Sequence, residues 1–286
     1  MTAGKGPRKV VSIRQTQDVR DGAGVAIQRL ALVGDPLTDP LLLLDELNCP
    51  YRTDFAGGFP DHPHRGMQTL TYLKSGGIAH ADSLGNRGEI RAGGVQWLSA
   101  GSGVIHSEMP TLDSDGLHGF QLWFNLPAAA KGCPPRYRDI AESALVTEVT
   151  PAYRATVIAG DWPLPSGSTV RGPLHELEPQ AGLIDLELRA DATVELSIRV
   201  RDCGVAYIYD GAVTLADGQV LASGMLAITG AGDHWRFSGG PQGAKLLVIA
   251  GRPIGEPVVG YGPFVMNTRE EIEIAVREYQ MGTFIK

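Results

Sequence analysis

The sequence contains little cysteine and no apolar segment long enough to cross a membrane. Its three cysteines, Cys49, Cys133 and Cys203, are odd in number and form no C-x-x-C pair. This usage predicts free thiols in a reducing compartment instead of a disulfide framework. The first residues also lack the apolar core and the small-residue cleavage site of a secretory signal. We therefore expect a cytoplasmic protein.

Positive charge is also scarce. The 25 Lys and Arg residues are outnumbered by 32 Asp and Glu residues, which gives a net charge of -7 and a pI near 5.5. This balance argues against attraction to phosphate backbones or anionic membranes, so we expect no direct contact with nucleic acid or membrane. The chain also lacks a P-loop, a dinucleotide fingerprint and a G-x-S-x-G motif, which argues against the enzyme classes that these motifs mark.

Long helical patterns are absent until the end of the chain. The 37 glycines and 19 prolines separate short apolar runs from one another, which predicts an all-β fold. Only residues 267–280 have apolar residues at helical spacing. Asn267 or Thr268, followed by Glu270 and Glu271, forms a capping-box pattern at their start. We expect one short carboxy-terminal helix that packs against the β body.

One strand shows the period of two most clearly. Phe120, Leu122 and Phe124 alternate with Gln121 and Trp123, which predicts a strand with one apolar and one polar face.

Domain organisation follows from a break in the strand pattern. Residues 127–142 contain prolines and small residues, and a second strand-rich block follows them. We predict an amino-terminal domain over residues 1–135 and a carboxy-terminal domain over residues 136–286.

Two pairs of metal-ligand side chains stand at the ends of the segment 58–108. His62 and His64 form one pair, and His106 and Glu108 form the other. In extended backbone, residues two apart point to the same face, so the four ligands converge if the two strands meet. Three imidazoles and one carboxylate suit a first-row transition metal and leave up to two positions open in octahedral geometry.

A single H-x-H pair is more often an ordinary surface or core pair than a metal site. Two such pairs inside a glycine-rich strand pattern favour a metal site, and Pro63 biases His62 towards the extended backbone that the site requires. The ligand set does not select one metal, because iron, manganese, nickel, cobalt, copper and zinc all bind these groups.

The two strand-rich blocks also look like a degenerate internal repeat. When Tyr72 is aligned with Tyr207, Ser197 and Arg199 fall opposite His62 and His64. When GGVQWLSA is matched to SGMLAITG, at a shorter offset, the residues opposite the second ligand pair are Arg236 and Ser238, so every ligand is lost. We therefore predict that the carboxy-terminal domain is metal-free and structural.

Other candidates have two interpretations each. Arg65 either orients an anionic group or is a solvated charge. Trp97 and Trp123 either line an aromatic substrate pocket or pack in the core. His80 and His118 are interpreted as ordinary strand residues.

Four segments resemble the pirin family of the cupin superfamily. They are FPDHPHRGMQTLTYL, GGVQWLSAGSGVIHSEMP, HGFQLWFNLP and EPVVGYGPFVMNTREEIEIAV, and the resemblance extends from about Arg14 to Tyr279. It implies two cupin domains, which are jelly-roll β-barrels, in tandem. It also implies that the four candidate ligands bind one metal ion, usually iron as Fe(II), in the amino-terminal cupin, and that the carboxy-terminal cupin binds none.

One position departs from the family pattern. Cupins usually have a glutamate four residues after the second histidine of H-x-H, where this chain has Gln68. In pirins the carboxylate ligand comes from the later pair, here Glu108, so the resemblance still implies a complete ligand set. Gln68 is neutral at all working pH values and can hydrogen-bond a ligand or substrate, but it cannot act as a base.

The resemblance implies two functions. The first is a metal-dependent dioxygenase of the quercetin 2,3-dioxygenase type, which opens a flavonol or a similar small aromatic enol with O2. Glu108 is then the candidate catalytic residue, because it is the only anionic ligand that can accept the hydroxyl proton. The second is an iron-binding regulatory protein that modulates a transcription factor or a metabolic enzyme through protein contacts.

Overall fold

The structure, a computed structural model, describes residues 6–198 and 202–286. Strands dominate these residues, as the sequence predicts. In the first half of the chain the strands are β1 (Val10–Gln15), β2 (Gln17–Asp21), β3 (Val25–Ala31), β4 (Leu41–Cys49), β5 (Phe59–His64), β6 (Met67–Ser75), β7 (Gly77–Asp82), β8 (Arg87–Arg91), β9 (Val95–Ser99), β10 (Val104–Pro110), β11 (Leu117–Asn125) and β12 (Arg136–Ile140).

The second half of the chain continues in the same way. Its strands are β13 (Val146–Val149), β14 (Tyr153–Ala159), β15 (Asp161–Pro163), β16 (Thr169–Arg171), β17 (Gly182–Leu188), β18 (Thr193–Ser197), β19 (Cys203–Leu215), β20 (Val220–Ala222), β21 (Met225–Thr229), β22 (His234–Gly251), β23 (Val259–Tyr261) and β24 (Phe264–Met266).

Two α-helices occur in the described residues, α1 (Ala128–Lys131) and α2 (Arg269–Gln280). The predicted capping box starts α2. The Thr268 hydroxyl accepts a hydrogen bond from the Glu271 backbone nitrogen at 3.2 Å, and the Glu271 carboxylate accepts one from the Thr268 backbone nitrogen at 3.0 Å. This confirms the short carboxy-terminal helix. Neither helix is long and apolar enough to cross a bilayer.

The chain forms two compact units. The unit that contains the four candidate metal ligands, named the metal-site unit for this reason, comprises Gln17–Asp35, Leu41–Glu142 and Ile254–Lys286. The second unit comprises the described residues of Met1–Thr16, Pro36–Pro40 and Ser143–Pro253.

These units differ from a single division at residues 135 and 136, because each end of the chain joins the unit formed by the other half. β1 pairs antiparallel with β21 and so belongs to the second unit. α2 packs with Phe264 and Phe284 in an apolar cluster of the metal-site unit. β1 and β21 are far apart in the sequence, and α2 packs within a short terminal segment. A local sequence pattern does not indicate either contact.

The main sheets of the two units correspond strand for strand when each sheet is followed from one edge to the other. In the metal-site unit the order is β12-β9-β6-β11-β4-β3-β2, and a second sheet has the order β5-β10-β7-β8. In the second unit the order is β1-β21-β19-β22-β17-β14-β13, with β18 paired to β22. The fold is therefore two cupin barrels in tandem, as expected, and the matching orders support the internal repeat.

The apolar cores of the two barrels differ in extent. In the second unit a large cluster that includes Leu196, Trp235 and Phe237 fills the interior. In the metal-site unit an apolar cluster around Phe55 and Leu73 gathers residues from the end of β4, the end of β6 and the start of β11. Two smaller apolar clusters, around Met67 and around Leu98, belong to the same unit, and its buried polar side chains include Thr71, Gln96 and Glu108.

Candidate metal centre

β5 carries the first candidate pair. Pro63 restricts His62 to extended backbone, so His62 and His64 project to one face of the strand. β5 pairs antiparallel with β10, and this register places His62 opposite His106 and His64 opposite Val104. The three histidines therefore meet between the two strands.

Gly66 ends the ligand segment in a turn that needs glycine. Its φ is +79°, and a Cβ there would lie 2.0 Å from the carbonyl oxygen of Val265. A residue with a side chain would be strained by this φ and would collide with β24. The glycine thus allows β24 to pack directly against the turn that follows His64.

The three histidines form one compact cluster. One ligand nitrogen from each of His62, His64 and His106 lies within 4.8 Å of the other two. The ring centroids of His62 and His106 are 4.4 Å apart, and those of His64 and His106 are 5.0 Å apart. His64 and His106 are buried, whereas His62 is half-buried. The cluster is therefore enclosed on the side of β10 and reachable from solvent at His62.

Hydrogen bonds fix the tautomers of the first two rings. His62 Nδ1 donates to the Pro60 carbonyl oxygen at 2.8 Å, and His64 Nδ1 donates to the Pro263 carbonyl oxygen at 3.3 Å. A carbonyl oxygen can only accept, so both rings carry their hydrogen on Nδ1. Their Nε2 atoms keep a free lone pair, which is the form that binds a metal.

His106 supplies the third nitrogen. Its Nδ1 is hydrogen-bonded to the Nδ1 of His80 at 3.4 Å, and its Nε2 is buried with no hydrogen-bond partner in the described part of the chain. A buried polar atom without a partner is costly and calls for an explanation. A metal ion held jointly by the three Nε2 atoms explains it, so the residues present fit a transition metal.

Burial keeps the His64 and His106 imidazoles neutral. Burial and the neighbouring His62 lower the pKa of His64 to about 3, although the hydrogen bond to the Pro263 carbonyl opposes this shift. Burial is also the largest cause that holds the pKa of His106 well below 6.5, and the neighbouring histidines add to it. Neutral imidazole is the ligand form, so these rings can bind a metal at neutral pH without first losing a proton.

Glu108 lies on β10 two residues after His106, but outside the 4.8 Å cluster. Its Oε1 accepts a hydrogen bond from Thr71 Oγ1 at 2.9 Å, and its Oε2 accepts one from Gln121 Nε2 at 2.8 Å. The residue is only 2% exposed. Each carboxylate oxygen keeps a further lone pair, so Glu108 stays a predicted fourth ligand held in place by neutral donors.

A row of polar side chains crosses the main sheet at the level of Thr71. Each member lies opposite the next one on the neighbouring strand. In order across the sheet, the members are Asp139, Gln96, Thr71, Gln121, Asp45 and Arg29. Residues opposite one another in a sheet share a face, so this face of the barrel wall is polar along its whole width. The alternation along β11 predicts this face for Gln121 correctly.

The two tryptophans have different environments. Trp123 packs edge-on against His64 with centroids 5.2 Å apart and is partly exposed, so it lines the site. Trp97 is 2% exposed, and its Nε1 donates to Gln68 Oε1 at 3.1 Å. Alternation along β6 places Gln68 on the face opposite to Thr71. Gln68 therefore packs with Trp97 and does not face the histidine cluster.

Arg65 and His118 are engaged in contacts within the fold. Arg65 is 6% exposed, pairs with Glu278 at 2.7 Å and lies over the Phe284 ring at 4.3 Å. It is therefore neither a solvated charge nor directed at a substrate, and it ties the ligand strand to the carboxy-terminal segment. His118 Nε2 is hydrogen-bonded to Glu46 Oε1 at 2.9 Å, in keeping with a structural role.

His80 is a candidate that the sequence interpretation missed. Its Nε2 is hydrogen-bonded to Asp82 Oδ2 at 3.3 Å, its ring stacks on Tyr137, and both His80 and Asp82 side chains are fully buried. Burial raises the pKa of Asp82, but hydrogen bonds from Asn86, His80 and Leu84 outweigh it, so the pKa is lowered. A signal was present, because His80 and Asp82 are a third pair at two-residue spacing, on the strand beside β10.

The second unit has apolar residues at the corresponding strand pair. β18 pairs with β22 as β5 pairs with β10, and this register places Leu196 opposite Trp235. Both are buried in the apolar core, while Arg236 is exposed. The sequence alignment that set Arg236 opposite His106 is therefore one residue out of register. Ser197 is likewise exposed, next to the buried Leu196, and Arg199 lies outside the described residues.

A cavity of about 760 Å³ lies in the second unit. Its described lining includes a single histidine, His175, which is exposed. A cavity without converging ligands cannot hold a metal ion as the histidine cluster can, so its size does not make it the catalytic candidate.

The sequence matches two family models. Residues 32–124 match the pirin model, and residues 183–285 match the model of the pirin C-terminal cupin domain. This chain belongs to the pirin family. The first match contains all three clustered histidines.

Similar proteins extend over nearly the whole of this pirin. A Vibrio cholerae protein with the provisional name quercetin 2,3-dioxygenase is 41% identical, over 95% of this chain and 97% of the relative. A Pseudomonas aeruginosa protein with the same provisional name is 38% identical, over 96% and 97% of the two chains. The crystal structure of a quercetin 2,3-dioxygenase from Acinetobacter baumannii is similar with a TM-score of 0.89 at 29% identity, over 98% and 99% of the two chains.

Proposed function

We propose that this pirin is a metal-dependent oxygenase of the quercetin 2,3-dioxygenase type. The observation that carries the proposal is the cluster of three histidines, two of them buried, in one cupin barrel. Two relatives that are similar over nearly their whole length, and one solved structure with the same fold, carry the name of this activity and support the proposal.

The three Nε2 atoms of His62, His64 and His106 would hold the metal, with Glu108 as the proposed fourth ligand. We infer iron as Fe(II), and manganese, nickel, cobalt, copper and zinc are the alternatives that this donor set accepts. When bound, the ion supplies a Lewis-acidic centre for a substrate hydroxyl and for O2.

The substrate would enter on the side of His62, the half-buried ligand. Trp123 is partly exposed beside His64 and offers an aromatic surface against which a flavonol ring can pack. Binding in this position holds the substrate hydroxyl next to the histidine cluster and converts an encounter of separate molecules into a local reaction.

Glu108 is the proposed acceptor of the hydroxyl proton. Removal of this proton leaves the substrate as an electron-rich enolate, which is the form that reacts with O2. A carboxylate cannot bind a metal tightly and act as a free base at the same time. The hydrogen bonds from Thr71 and Gln121 hold Glu108 beside the cluster, where it can exchange between the two roles.

Turnover of a flavonol tests the proposal. Aerobic protein loaded with Fe(II) is expected to consume quercetin and release carbon monoxide, and Glu108→Gln is expected to lose turnover while it keeps its metal. Glu46→Gln is a matched control, since Glu46 is a buried carboxylate of the same barrel paired with His118. A fully metallated wild type that leaves quercetin unchanged contradicts the proposal.

A second role, as a regulatory partner of another protein, is favoured by one set of contacts. His64 is hydrogen-bonded to Pro263, and Arg65 pairs with Glu278 on α2, whose side chains Ile274 and Tyr279 are exposed. A change at the metal can therefore reach a surface helix through the ligand strand. Pull-downs with the Fe(II) and Fe(III) forms test this role, and identical partner sets in both states count against it.

A further inference from the structure

The hydrogen bonds around Asp82 leave one way to place the hydrogens. Asp82 Oδ1 accepts from the backbone nitrogens of Leu84 at 2.9 Å and Asn86 at 3.0 Å. Asp82 Oδ2 accepts from Asn86 Nδ2 at 2.8 Å and faces His80 Nε2 at 3.3 Å. A carboxylate surrounded by donors only accepts, so His80 carries its hydrogen on Nε2.

This assignment determines the next hydrogen bond. A ring whose hydrogen lies on Nε2 can only accept at Nδ1, so the hydrogen between the two Nδ1 atoms belongs to His106. His106 Nε2 is then bare, and this is the buried atom without a partner in the described part of the chain. The tautomer that metal binding requires is thus set by a carboxylate two hydrogen bonds away.

The surroundings prevent other arrangements. The His80 and Asp82 side chains are fully buried and His106 is 1% exposed, so water does not replace either hydrogen bond. The His80 ring stacks on Tyr137 with centroids 4.3 Å apart and 21° between the planes. Tyr137 in turn donates its hydroxyl hydrogen to Asp139 at 2.7 Å. The orientation of the His80 ring is therefore fixed by packing.

His106 differs in this respect from the other two histidines. Backbone carbonyls fix the tautomers of His62 and His64, and no side-chain substitution removes a carbonyl. His106 depends on the side chain of His80, which can accept or donate at Nδ1. Its tautomer can therefore be changed by mutation without touching a ligand.

We propose that Asp82 and His80 are positioning residues that fix His106 in the Nδ1–H tautomer and so prepare its Nε2 for the metal. The inference rests on the metal site proposed above, and in it neither residue contacts metal or substrate. Partners that orient ligating histidines typically contribute about 10- to 100-fold in metal affinity.

Asp82→Asn reverses the chain of hydrogen bonds with little change of shape. The backbone nitrogens of Leu84 and Asn86 require an acceptor in the place of Oδ1, so the new amide nitrogen takes the place of Oδ2 and faces His80. The side-chain amide of Asn86 then turns over, so that its oxygen accepts from the new nitrogen where its Nδ2 donated to Oδ2. His80 Nε2 must then accept and its Nδ1 must donate. His106 is left with its hydrogen on Nε2, the nitrogen that the metal needs.

Two measurements follow from this reversal. The ¹⁵N chemical shifts of His106 in the metal-free protein are expected to show Nδ1–H in the wild type and Nε2–H in Asp82→Asn. The affinity for Zn(II), measured by competition with a chelator, is expected to fall by about 10- to 100-fold in Asp82→Asn. An unchanged tautomer or an unchanged affinity overturns the inference.

A pair of variants at His80 decides the matter if Asp82→Asn does not fold. His80→Gln keeps an acceptor and a donor on one planar group, so it is expected to retain most of the affinity for Zn(II). His80→Phe keeps a ring against Tyr137 but leaves His106 Nδ1 without its partner, so it is expected to lose affinity. Equal affinities in these two variants overturn the inference.

Asp233→Asn is the matched control. Asp233 accepts a hydrogen bond from His234 Nδ1 at 2.7 Å at a partly exposed position of the second unit. The same substitution in this carboxylate–histidine pair is expected to leave affinity for Zn(II) unchanged, and a comparable loss here contradicts a specific role for Asp82. The His106 tautomer is measured without metal or substrate, so this test does not depend on catalysis. If the tautomer is as expected but the protein does not turn over quercetin, only the proposed activity is contradicted.

Discussion

Two barrels with the same strand order have interiors of opposite character. In the metal-site unit the row of cross-strand neighbours through Thr71 is polar along its whole length. In the second unit Ala206 aligns with Thr71 when Tyr207 is matched to Tyr72. The row through Ala206 is apolar throughout: Ile13, Ala227, Ala206, Val248, Ile184, Val157 and Val146.

The same barrel fold can therefore be built around an apolar row or around a polar row, and the two rows contribute differently to stability. An apolar row is stabilised by burial, at about 25 cal/mol for each Å² removed from water. A polar row contributes less, because each buried donor and acceptor only exchanges water for a protein partner. The metal-site unit thus has polar side chains in place of part of a hydrophobic core, beside its histidine cluster, whereas the second unit keeps its core. The following predictions test this division in order of decreasing effect.

Removal of Trp235 from the second barrel is expected to have the largest effect on stability. Trp235 is 1% exposed and belongs to the apolar core, so Trp235→Ala should cost about 4 kcal/mol of unfolding free energy through the cavity that it leaves. Denaturant unfolding measures the loss, and the metal content should not change. Loss of the metal in a variant that remains folded would show that the second barrel also shapes the site.

Lys131→Met is expected to destabilise the metal-site unit by about 3 kcal/mol. The Lys131 ammonium donates to the carbonyl oxygens of Gly66 and Val265 and to Asn125 Oδ1, and methionine would leave these three buried acceptors unpaired. Chemical denaturation of the variant measures the cost.

Lys245→Met is the control for this prediction. Lys245 pairs with Asp210 at a position 43% exposed in the second unit, so its replacement should cost less than about 1 kcal/mol. Equal losses in the two variants would contradict the view that buried polar groups stabilise the first barrel.

Arg65→Lys is expected to cost about 2 kcal/mol and to loosen the carboxy-terminal segment. Lysine cannot bond Glu278 and the Phe284 carbonyl together, and it loses the contact over the Phe284 ring. Hydrogen exchange across α2 should become faster. Arg171→Lys, in an exposed pair with Asp161, should leave exchange in α2 as it is, and unchanged exchange in both variants would contradict the proposed link.

Gln68→Met is expected to have the smallest effect. It removes the acceptor of the Trp97 indole hydrogen and makes Trp97 like Trp235, whose Nε1 has no partner in the described residues. The cost should be about 1 kcal/mol, with metal content and quercetin turnover unchanged. A large loss of turnover would place Gln68 in the site and contradict its position on the opposite face of β6.

The features that sequence predicts best are those that depend on local spacing. The period of two brings His62 and His64 to one face and separates Gln121 from Phe120 along β11. The capping box of α2 is equally local, because Thr268 and Glu271 are three residues apart. The tandem fold follows from the resemblance to pirins, and the two barrels confirm it.

Features that depend on distant pairing could not be predicted. The pairing of β1 with β21 and the contact of Arg65 with Glu278 join residues more than 200 positions apart, so no local pattern marks them. The repeat alignment slipped by one residue at Arg236, where β22 runs on as a single strand in the place of β10 and β11. The role of His80 depends on a hydrogen bond across strands, which spacing alone does not specify.

Metal analysis of the freshly purified protein tests most directly the claim that the polar barrel holds the metal and the apolar barrel holds none. We expect one transition-metal ion per chain in the wild type and in Trp235→Ala, and none in His64→Ala. A wild type that binds no metal even after reconstitution, or a His64→Ala variant that keeps its full metal content, would contradict the account.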